Sequence, residues 1–195
     1  MYTFTFGGKE IEVETEGSLF SPKEADKGTL AMLRHVSFGE EDKLLDLGCG
    51  CGIVSLAAAA SGVAPGNIVL TDVDPLAVST SEKNMKKNGF EGAVFVTGDA
   101  LSNVPGSDFS LILSNPPYHT DFKVAKTFIE KGFNRLTIGG RMFMVTKRKD
   151  WYKNKMISIF GGVKIYEEDG YFVFEAQKRS ASYSSEKPRK RPGKK

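Results

Sequence analysis

The feature that most constrains the fold is a regular alternation of short apolar runs and longer helical segments through residues 44–176. Runs of this kind are typical of buried strands, and each leads into a segment with helical spacing or a glycine stop. Strand and helix in alternation predict a mainly parallel sheet with right-handed crossovers. Strands are predicted at residues 44–47, 68–70, 93–96, 109–113, 142–145, 163–166 and 171–176, and helices at 53–60, 75–87, 122–136 and 151–160.

Two hairpins complete the predicted architecture. Asp169-Gly170 separates the last two strands, so one of them must run antiparallel to the rest. Gly7-Gly8 separates two alternating runs within residues 2–13. Ser21-Pro22 then offers an N-cap and a first helical residue. The predicted fold is α/β: a Rossmann-like, seven-stranded, mostly parallel sheet with one antiparallel hairpin strand, helices on both faces and a small N-terminal β-hairpin.

The charge is distributed unevenly along the chain. Of 195 residues, 26% are charged and the net charge is +3, but residues 178–195 hold eight Lys or Arg and one Glu. The preceding 177 residues therefore carry a net charge of −4. We expect a hairpin extension over 1–20, one α/β domain over 21–178 and a disordered basic tail over 179–195. The tail is typical of a sequence-independent nucleic-acid arm or of a solubilising tail.

Several classes of protein are disfavoured by what the sequence lacks. No apolar run approaches the ~18 residues that span a bilayer, and the N-terminus does not resemble a signal peptide. Cys49 and Cys51 are the only cysteines, and only two His are present that could complete a zinc set with them. A disulfide at this spacing is improbable. We expect a reduced, cytoplasmic protein without a metal or a membrane contact.

A glycine-rich loop follows the first predicted strand of the domain. Glycines after a strand allow a tight turn and let a ligand approach the main chain. The dehydrogenase fingerprint fails because position 53 is Ile. The spacing D-x-G-x-G-x-G instead resembles motif I of class I methyltransferases. That resemblance implies that Asp46 and the backbone of Gly48, Cys49 and Gly50 hold the methionine part of a cofactor; a structural glycine turn is the alternative.

Two more carboxylates follow the next two predicted strands. Asp72, with Val73 beside it, ends the second strand, where an acidic side chain can accept both hydroxyls of a ribose. Asp74 precedes a proline and is interpreted as a helix N-cap. Asp99, followed by Ala100, comes after the third strand. In the resembled family its counterpart accepts a hydrogen bond from the adenine amine; otherwise Asp99 closes a turn.

The sequence Ser-Asn-Pro-Pro-Tyr-His directly after the fourth predicted strand indicates the chemistry. An exocyclic or amide nitrogen is a poor nucleophile because its lone pair is delocalised. The side-chain oxygen of Asn115 and the carbonyl of Pro116 can each accept an N–H from it, which localises the lone pair and aims it. Tyr118 can stack on a planar substrate group. The motif predicts N-methylation; a proline-stiffened turn is the alternative.

Together with residues 20–29, these motifs resemble the methyltransferase small-domain family, which contains ribosomal RNA guanine-N2 methyltransferases. The resemblance implies S-adenosylmethionine (AdoMet) as cofactor and RNA as partner, with Phe20 near the substrate pocket. The best-known members carry a second, degenerate domain copy, whereas this chain shows one, so dimerisation or the basic tail could hold the RNA. Those members usually carry Phe where Tyr118 stands. Adenine-N6 and protein glutamine-N5 methylation therefore stay open, as does a non-catalytic RNA-binding scaffold.

A basic cluster follows the fifth predicted strand at Lys147, Arg148 and Lys149. This is the carboxyl edge at which α/β sheets place their sites. The cluster is interpreted as a phosphate contact for RNA, with a solvated helix start as the alternative.

Overall fold

The structure is a computed structural model that describes residues 1–16, 24–117 and 122–184. In this part of the chain, the strands are β1 (Tyr2–Phe6), β2 (Lys9–Val13), β3 (Leu44–Leu47), β4 (Ile68–Asp72), β5 (Val94–Thr97), β6 (Phe109–Ser114), β7 (Leu136–Thr146), β8 (Lys164–Glu168) and β9 (Tyr171–Gln177). The helices are α1 (Lys27–Leu33), α2 (Ile53–Ala60), α3 (Pro75–Lys87), α4 (Lys123–Arg135) and α5 (Lys149–Phe160), with a 3₁₀ turn at Pro65–Asn67.

Seven strands form one sheet in the order β5-β4-β3-β6-β7-β9-β8. Strand β9 runs antiparallel to both of its neighbours, and the other neighbouring strands pair in parallel. The predicted sheet with one antiparallel hairpin strand is confirmed. Strand β3 lies between β4 and β6, so the chain builds the sheet first to one side of β3 and then to the other. The strand order therefore reverses at β3. Ligands of open α/β sheets bind in the crevice at such a point, at the carboxyl ends of the strands.

Apolar cores cover the two faces of the sheet. Alternate residues of β3 point to opposite faces, since Leu44 belongs to one core and Leu45 to the other. The first core is built with α1, α2 and the N-terminal hairpin, which contributes Ile11 and Val13. The second is built with α4 and α5. The predicted helices on both faces are therefore confirmed.

Gly139 and Gly140 lie inside a strand, whereas the sequence predicted that they separate a helix ending at residue 136 from a strand beginning at residue 142. The helix ends at Arg135, and β7 runs from Leu136 through both glycines to Thr146. Gly139 has a φ of +89°, and the register with β6 shifts between Phe109 and Leu111. A Cβ at Gly140 would lie 2.9 Å from the carbonyl oxygen of Phe109. The glycines thus permit an irregular strand segment rather than ending a helix.

The predicted N-cap of the first helix was also wrong. Helix α1 begins at Lys27, and its N-cap is Asp26, whose side chain accepts a hydrogen bond from the Thr29 backbone at 2.7 Å. Ser21 and Pro22 lie outside the described residues. Asp and Ser are about equally good N-cap residues, so residue preference alone does not choose between Asp26 and Ser21.

Asn84 of α3 and Asn88, the C-cap of that helix, fix the N-terminal hairpin to the domain. The Asn84 side chain accepts from the Glu14 backbone N–H at 2.8 Å and donates to the carbonyls of Glu14 and Cys51, both at 2.9 Å. Asn88, one turn later, accepts from the Glu12 N–H at 3.0 Å and donates to its carbonyl at 2.7 Å. Each side-chain amide bonds both the N–H and the C=O of one hairpin residue, as a neighbouring strand would. The hairpin is therefore attached to α3 through β2 and the residue that follows it.

Replacing Asn84 with Ala is expected to lower the free energy of unfolding by about 2–3 kcal/mol, because Asn84 is fully buried and its loss leaves three backbone groups without their partner. Urea denaturation of the cofactor-free protein measures it. Asn134→Ala is the matched control, since Asn134 is an exposed helical residue with one 3.5 Å hydrogen bond to Tyr183. Equal losses in the two variants would show that Asn84 does not fix the hairpin.

The chain continues beyond the predicted domain end at Lys178. The Lys178 ammonium donates to the Leu136 carbonyl at 2.7 Å, and the Tyr183 ring meets Phe133 edge-on at 5.1 Å. The Ser184 N–H donates to the carbonyl of Ile159 at 3.0 Å. These contacts lie at the C-terminal ends of α4 and α5. The described chain therefore ends near the amino ends of the parallel strands, whereas the glycine loop lies at their carboxyl ends.

Candidate active site

The loop between β3 and α2 needs its glycines for backbone geometry. Gly48, Gly50 and Gly52 have φ values of +78°, +54° and +88°, in the left-handed region. A Cβ at Gly52 would lie 3.0 Å from the Cβ of Ser81, so α2 packs closely on α3. A Cβ at Gly50 would meet no atom within 4 Å. Gly50 therefore exposes its main chain to open space, which suits the approach of a ligand.

A cavity lies over this loop at the carboxyl edge of the sheet. Seven of the residues proposed from the sequence line it: Asp46, Gly48, Cys49, Gly50, Asp72, Asn115 and Pro116. The other described lining residues are Tyr2, Asp26, Thr29, Cys51, Ile53, Val54 and Pro117. Asp26 and Thr29 fall in the stretch to which the family resemblance pointed, although neither was singled out. Tyr2 was missed, because no local pattern relates it to a loop about fifty residues later.

Val73, Asp99 and Ala100, the other proposed cofactor residues, are not in the described lining of the cavity but follow β4 and β5. Thr97 is paired with Asp72 across β5 and β4, so Asp99 follows at the same sheet edge, where its side chain is exposed. Val73 is 68% exposed, and Ala100 is buried with a φ of +54°. Phe20 and Tyr118 lie outside the described residues.

Asp72 ties the glycine loop to the start of α3. One carboxylate oxygen accepts from the Gly50 N–H at 3.0 Å and the other from the Asp74 N–H at 3.0 Å. Each oxygen of a carboxylate can accept at least two hydrogen bonds, so each can take a further donor. Asp74 accepts from the Leu76 N–H at 2.9 Å, which confirms its predicted role as the N-cap of α3. Asp72 can thus hold two hydroxyl groups while it orders the loop.

Asp46 is a buried carboxylate at the end of β3. It is 2% exposed, and one of its oxygens accepts from both the backbone N–H and the hydroxyl of Ser55, at 3.2 and 2.8 Å. Burial raises the pKa of Asp46 to about 7; the bonds from Ser55 oppose this shift and the charge of Asp72 adds to it. A cationic group bound beside Asp46 would favour its ionised form.

Asp46→Asn is expected to flatten the pH dependence of stability in the cofactor-free protein. Because the folded pKa of about 7 exceeds the pKa of 3.8 that is ordinary for an Asp side chain, the group stabilises the fold at low pH. That contribution is lost as the pH rises through about 7, by roughly 2–4 kcal/mol. Asn keeps an acceptor for Ser55 without this loss. Urea unfolding at pH 5 and pH 8 tests it, with Asp42→Asn as control. A wild-type-minus-variant difference that is equal at both pH values would contradict it.

The thiols of the two cysteines are neutral and form part of the cavity wall. Both are 7% exposed, and burial raises the pKa of each thiol above its usual value. The Cys49 sulfur lies 3.7 Å from the Ser81 hydroxyl, and the Cys51 sulfur lies 3.9 Å from the Tyr2 hydroxyl. Burial likewise raises the pKa of Tyr2. The thiols therefore contribute apolar surface to the cavity, not nucleophiles.

Asn115 is brought to the glycine loop by the strand that precedes it. The Ser114 hydroxyl donates to the carbonyl of Leu47 at 2.7 Å, joining the ends of β6 and β3. The Asn115 amide nitrogen donates to a carboxylate oxygen of Asp26 at 2.7 Å and to the hydroxyl of Thr29 at 2.9 Å. Both amide hydrogens are thus used within the described part of the chain, and the amide oxygen is the group that can still accept from a ligand.

The predicted basic cluster lies at the same sheet edge but outside the described cavity lining. Lys147, Arg148 and Lys149 are all exposed. Lys149 also pairs with Glu167 at 3.3 Å. Each cation lies over an aromatic ring, namely Tyr171 at 4.9 Å, Phe122 at 5.0 Å and Phe172 at 4.7 Å respectively.

Residues 1–16, 24–117 and 122–184 contain neither a metal-ligating cluster nor a membrane-spanning helix. No group of three or more His, Cys, Asp or Glu there could hold a metal ion. In the same ranges, no helix is long and apolar enough to cross a membrane.

The sheet order, the single antiparallel strand and the site at the ends of β3, β4 and β6 define a Rossmann-like methyltransferase fold. The chain belongs to the methyltransferase small domain family, whose sequence profile matches residues 10–175.

Similar proteins carry one recurrent name. The ribosomal RNA small subunit methyltransferase C of Pseudomonas putida strain GB-1 is 30% identical over 171 residues, which cover 85% of this chain and 51% of that protein. The protein of the same name from Cronobacter sakazakii is 33% identical over 167 residues, with 84% and 48% covered. The chain spans about half the length of these curated relatives.

Solved structures share the fold. The Thermus thermophilus enzyme RsmC, a 16S rRNA N2 guanosine methyltransferase in complex with AdoMet and guanosine, superposes with a TM-score of 0.83 at 25% identity. The match covers 91% of this chain and 50% of that one. A Pyrococcus furiosus methyltransferase superposes with a TM-score of 0.70 at 16% identity, covering 87% and 90%. The second match bears on the fold alone.

Proposed function

We propose that this protein is an AdoMet-dependent N-methyltransferase that acts on an exocyclic amine of a base in ribosomal RNA, with guanine N2 as the favoured target. The observation that carries the proposal is the position of Asn115. Its amide oxygen is left for a ligand in the cavity that the glycine loop and Asp72 also line. Family membership and the names of the relatives support the same reaction.

The charges around the cavity fit AdoMet. Three carboxylates are among the described lining residues, Asp26, Asp46 and Asp72, and the described lining holds no Lys, Arg or His. AdoMet carries a sulfonium and an ammonium against one carboxylate, so it is a net cation. A dinucleotide pyrophosphate would be repelled here. We assign the ribose hydroxyls to Asp72 and the methionine part to Asp46 and the backbone of Gly48–Gly50.

Val73, Asp99 and Ala100 are proposed to contact the adenine. They follow β4 and β5 at the same edge as Asp72, which supports this assignment. Bound AdoMet supplies an electrophilic methyl group. The residues of the chain act on the amine that receives it.

Asn115 and Pro116 are proposed as the catalytic pair. An N–H of the target amine donates to the Asn115 side-chain oxygen and another to the Pro116 carbonyl, which directs the nitrogen lone pair. No strong base is required, because the nitrogen becomes cationic on methylation and then loses a proton readily. Tyr118 is proposed to stack on the base, and Phe20 to border it.

RNA is the proposed partner. The exposed cluster Lys147–Lys149 and the basic residues after Ser184 provide charge for phosphate contacts. The target base must be flipped out of a helix or presented in a loop. A homodimer is a second proposed source of RNA contacts, and the cytoplasm is the proposed location.

Transfer of labelled methyl from AdoMet tests the function. Purified protein is incubated with protein-free ribosomal RNA and with isolated ribosomal subunits, and the product is digested for nucleoside mass spectrometry. We expect N2-methylguanosine. Label in N6-methyladenosine would identify adenine, and not guanine, as the methylated base. Label in protein would indicate the glutamine reaction, and absence of transfer to every substrate would contradict the proposal.

A further inference from the structure

We infer that Asp26, together with Thr29, is a positioning residue that turns the amide of Asn115 so that its oxygen faces the substrate amine. The inference rests on the proposed N-methyl transfer and assigns a role to residues outside the Asn-Pro-Pro sequence. Asp26 and Thr29 precede Asn115 by more than 85 residues, yet both contact its amide nitrogen.

The three side chains form a closed set of hydrogen bonds. The Asn115 nitrogen lies 2.7 Å from a carboxylate oxygen of Asp26 and 2.9 Å from the Thr29 hydroxyl. The Thr29 hydroxyl donates to the same Asp26 oxygen at 3.2 Å. Since that hydroxyl spends its hydrogen on Asp26, it can only accept from Asn115. Each hydrogen bond in the set therefore has one possible donor and one possible acceptor.

The carboxylate decides the orientation of the amide. The two ends of an asparagine amide are nearly equal in shape, so packing distinguishes them poorly. A carboxylate only accepts hydrogen bonds. If the amide of Asn115 were turned over, its oxygen would face the Asp26 oxygen at 2.7 Å, with one hydrogen bond lost and two negative atoms in contact. Asp26 therefore selects the orientation that leaves the Asn115 oxygen for the substrate.

The turn that carries Asp26 is itself held in place. The Asp26 oxygen accepts from the Thr29 N–H at 2.7 Å as the N-cap of α1, and Thr29 is 7% exposed. A Cβ at Gly28 would lie 2.7 Å from the Tyr171 ring, so the turn packs closely against the start of β9. Hydrogen bonds in series also polarise one another, so the carboxylate strengthens the Asn115 oxygen as an acceptor.

Capping alone would explain only part of these contacts. It accounts for the bond between Asp26 and the Thr29 backbone, but not for the two bonds to Asn115. The capping and positioning roles separate in Asp26→Ser, because Ser is also a good N-cap and has no carboxylate to reach Asn115. Thr29→Val removes the other acceptor at nearly constant volume.

The first test does not depend on activity. In ¹H–¹⁵N spectra of the full chain, the side-chain NH₂ signals of Asn115 are identified by their absence in Asn115→Ala. We expect slowly exchanging signals in wild type, and shifted, faster-exchanging signals in Asp26→Ser and Thr29→Val. Asp42→Ser is the control, since Asp42 also accepts a backbone N–H, from Gly39 at 2.7 Å, away from the cavity. Unchanged Asn115 signals in both variants would overturn the inference.

The second test uses transfer rates with ribosomal RNA. We expect kcat at saturating AdoMet to fall by at least about tenfold in Asp26→Ser and Thr29→Val, with the Kd for AdoMet within about twofold of wild type in Thr29→Val, which keeps every carboxylate of the described lining. In an Asn115→Ala background, Asp26→Ser should cause no further loss. Unchanged kcat in both single variants, or equal losses with and without Asn115, would refute the positioning role. If wild type transfers no methyl group, the proposed function fails, whereas the spectra still report whether Asp26 holds Asn115.

Discussion

Replacing Asn115 with Ala is expected to reduce methyl transfer by about 10²–10³-fold, the loss typical of one preorganised group that acts on the reacting atoms. The truncated side chain can no longer accept the N–H of the target amine, so the lone pair stays delocalised. Binding of AdoMet should change by less than about threefold, because the glycine loop and Asp72 remain in place. Single-turnover transfer of labelled methyl and calorimetry with AdoMet measure the two quantities separately.

Asn103→Ala is the matched control for this experiment. Asn103 is exposed, donates to the Thr97 carbonyl at 3.0 Å and does not line the cavity. Its replacement should leave the transfer rate unchanged. Asn115→Asp is a sharper probe, because it puts a second carboxylate against Asp26 while nearly preserving shape. A variant at position 115 with the wild-type rate would contradict the assignment of the catalytic loop.

Replacing Asp72 with Ala is expected to weaken AdoMet binding by about 100-fold or more, since each hydrogen bond to a charged group contributes about 1.5–3 kcal/mol. The loss has two sources. Two ribose hydroxyls lose their acceptor, and the Gly50 and Asp74 N–H groups lose the carboxylate that orders the loop. Calorimetric titration with AdoMet measures the Kd.

Asp150→Ala controls for a general change of charge, because Asp150 is exposed in the first turn of α5. Asp72→Asn should lie between wild type and Ala, since an amide keeps one acceptor. At saturating AdoMet, Asp72→Ala should recover most of its transfer rate, in contrast to Asn115→Ala. A Kd for Asp72→Ala within threefold of wild type would rule out the ribose assignment.

The fold was predictable because its signals are local. Short apolar runs and the breakers between them specify β3, β4 and β6, and Asp74-Pro75 specifies the start of α3. The errors occurred where one sequence pattern is compatible with two different local structures. Gly139-Gly140 is as suitable for a strand irregularity as for a helix stop, and the choice is made by pairing with β6, which is remote in sequence.

The site was predictable to the extent that its residues directly follow strands. Asp46, Asp72 and Asn115 meet because parallel strands end at one edge. Tyr2 enters the cavity from the hairpin, whose position depends on the bonds from Asn84 and Asn88. Such contacts between distant segments leave no periodic pattern in the sequence, so the cavity wall formed by the hairpin was not predicted.

The acidic lining of the cavity bears on how the reaction cycle turns over. AdoMet arrives with a positive sulfur, and methyl transfer leaves that sulfur as a neutral thioether. Asp26, Asp46 and Asp72 attract the first form more strongly than the second. Under the proposed function, the lining therefore binds the demethylated product less tightly than AdoMet, which favours exchange of the two after each transfer.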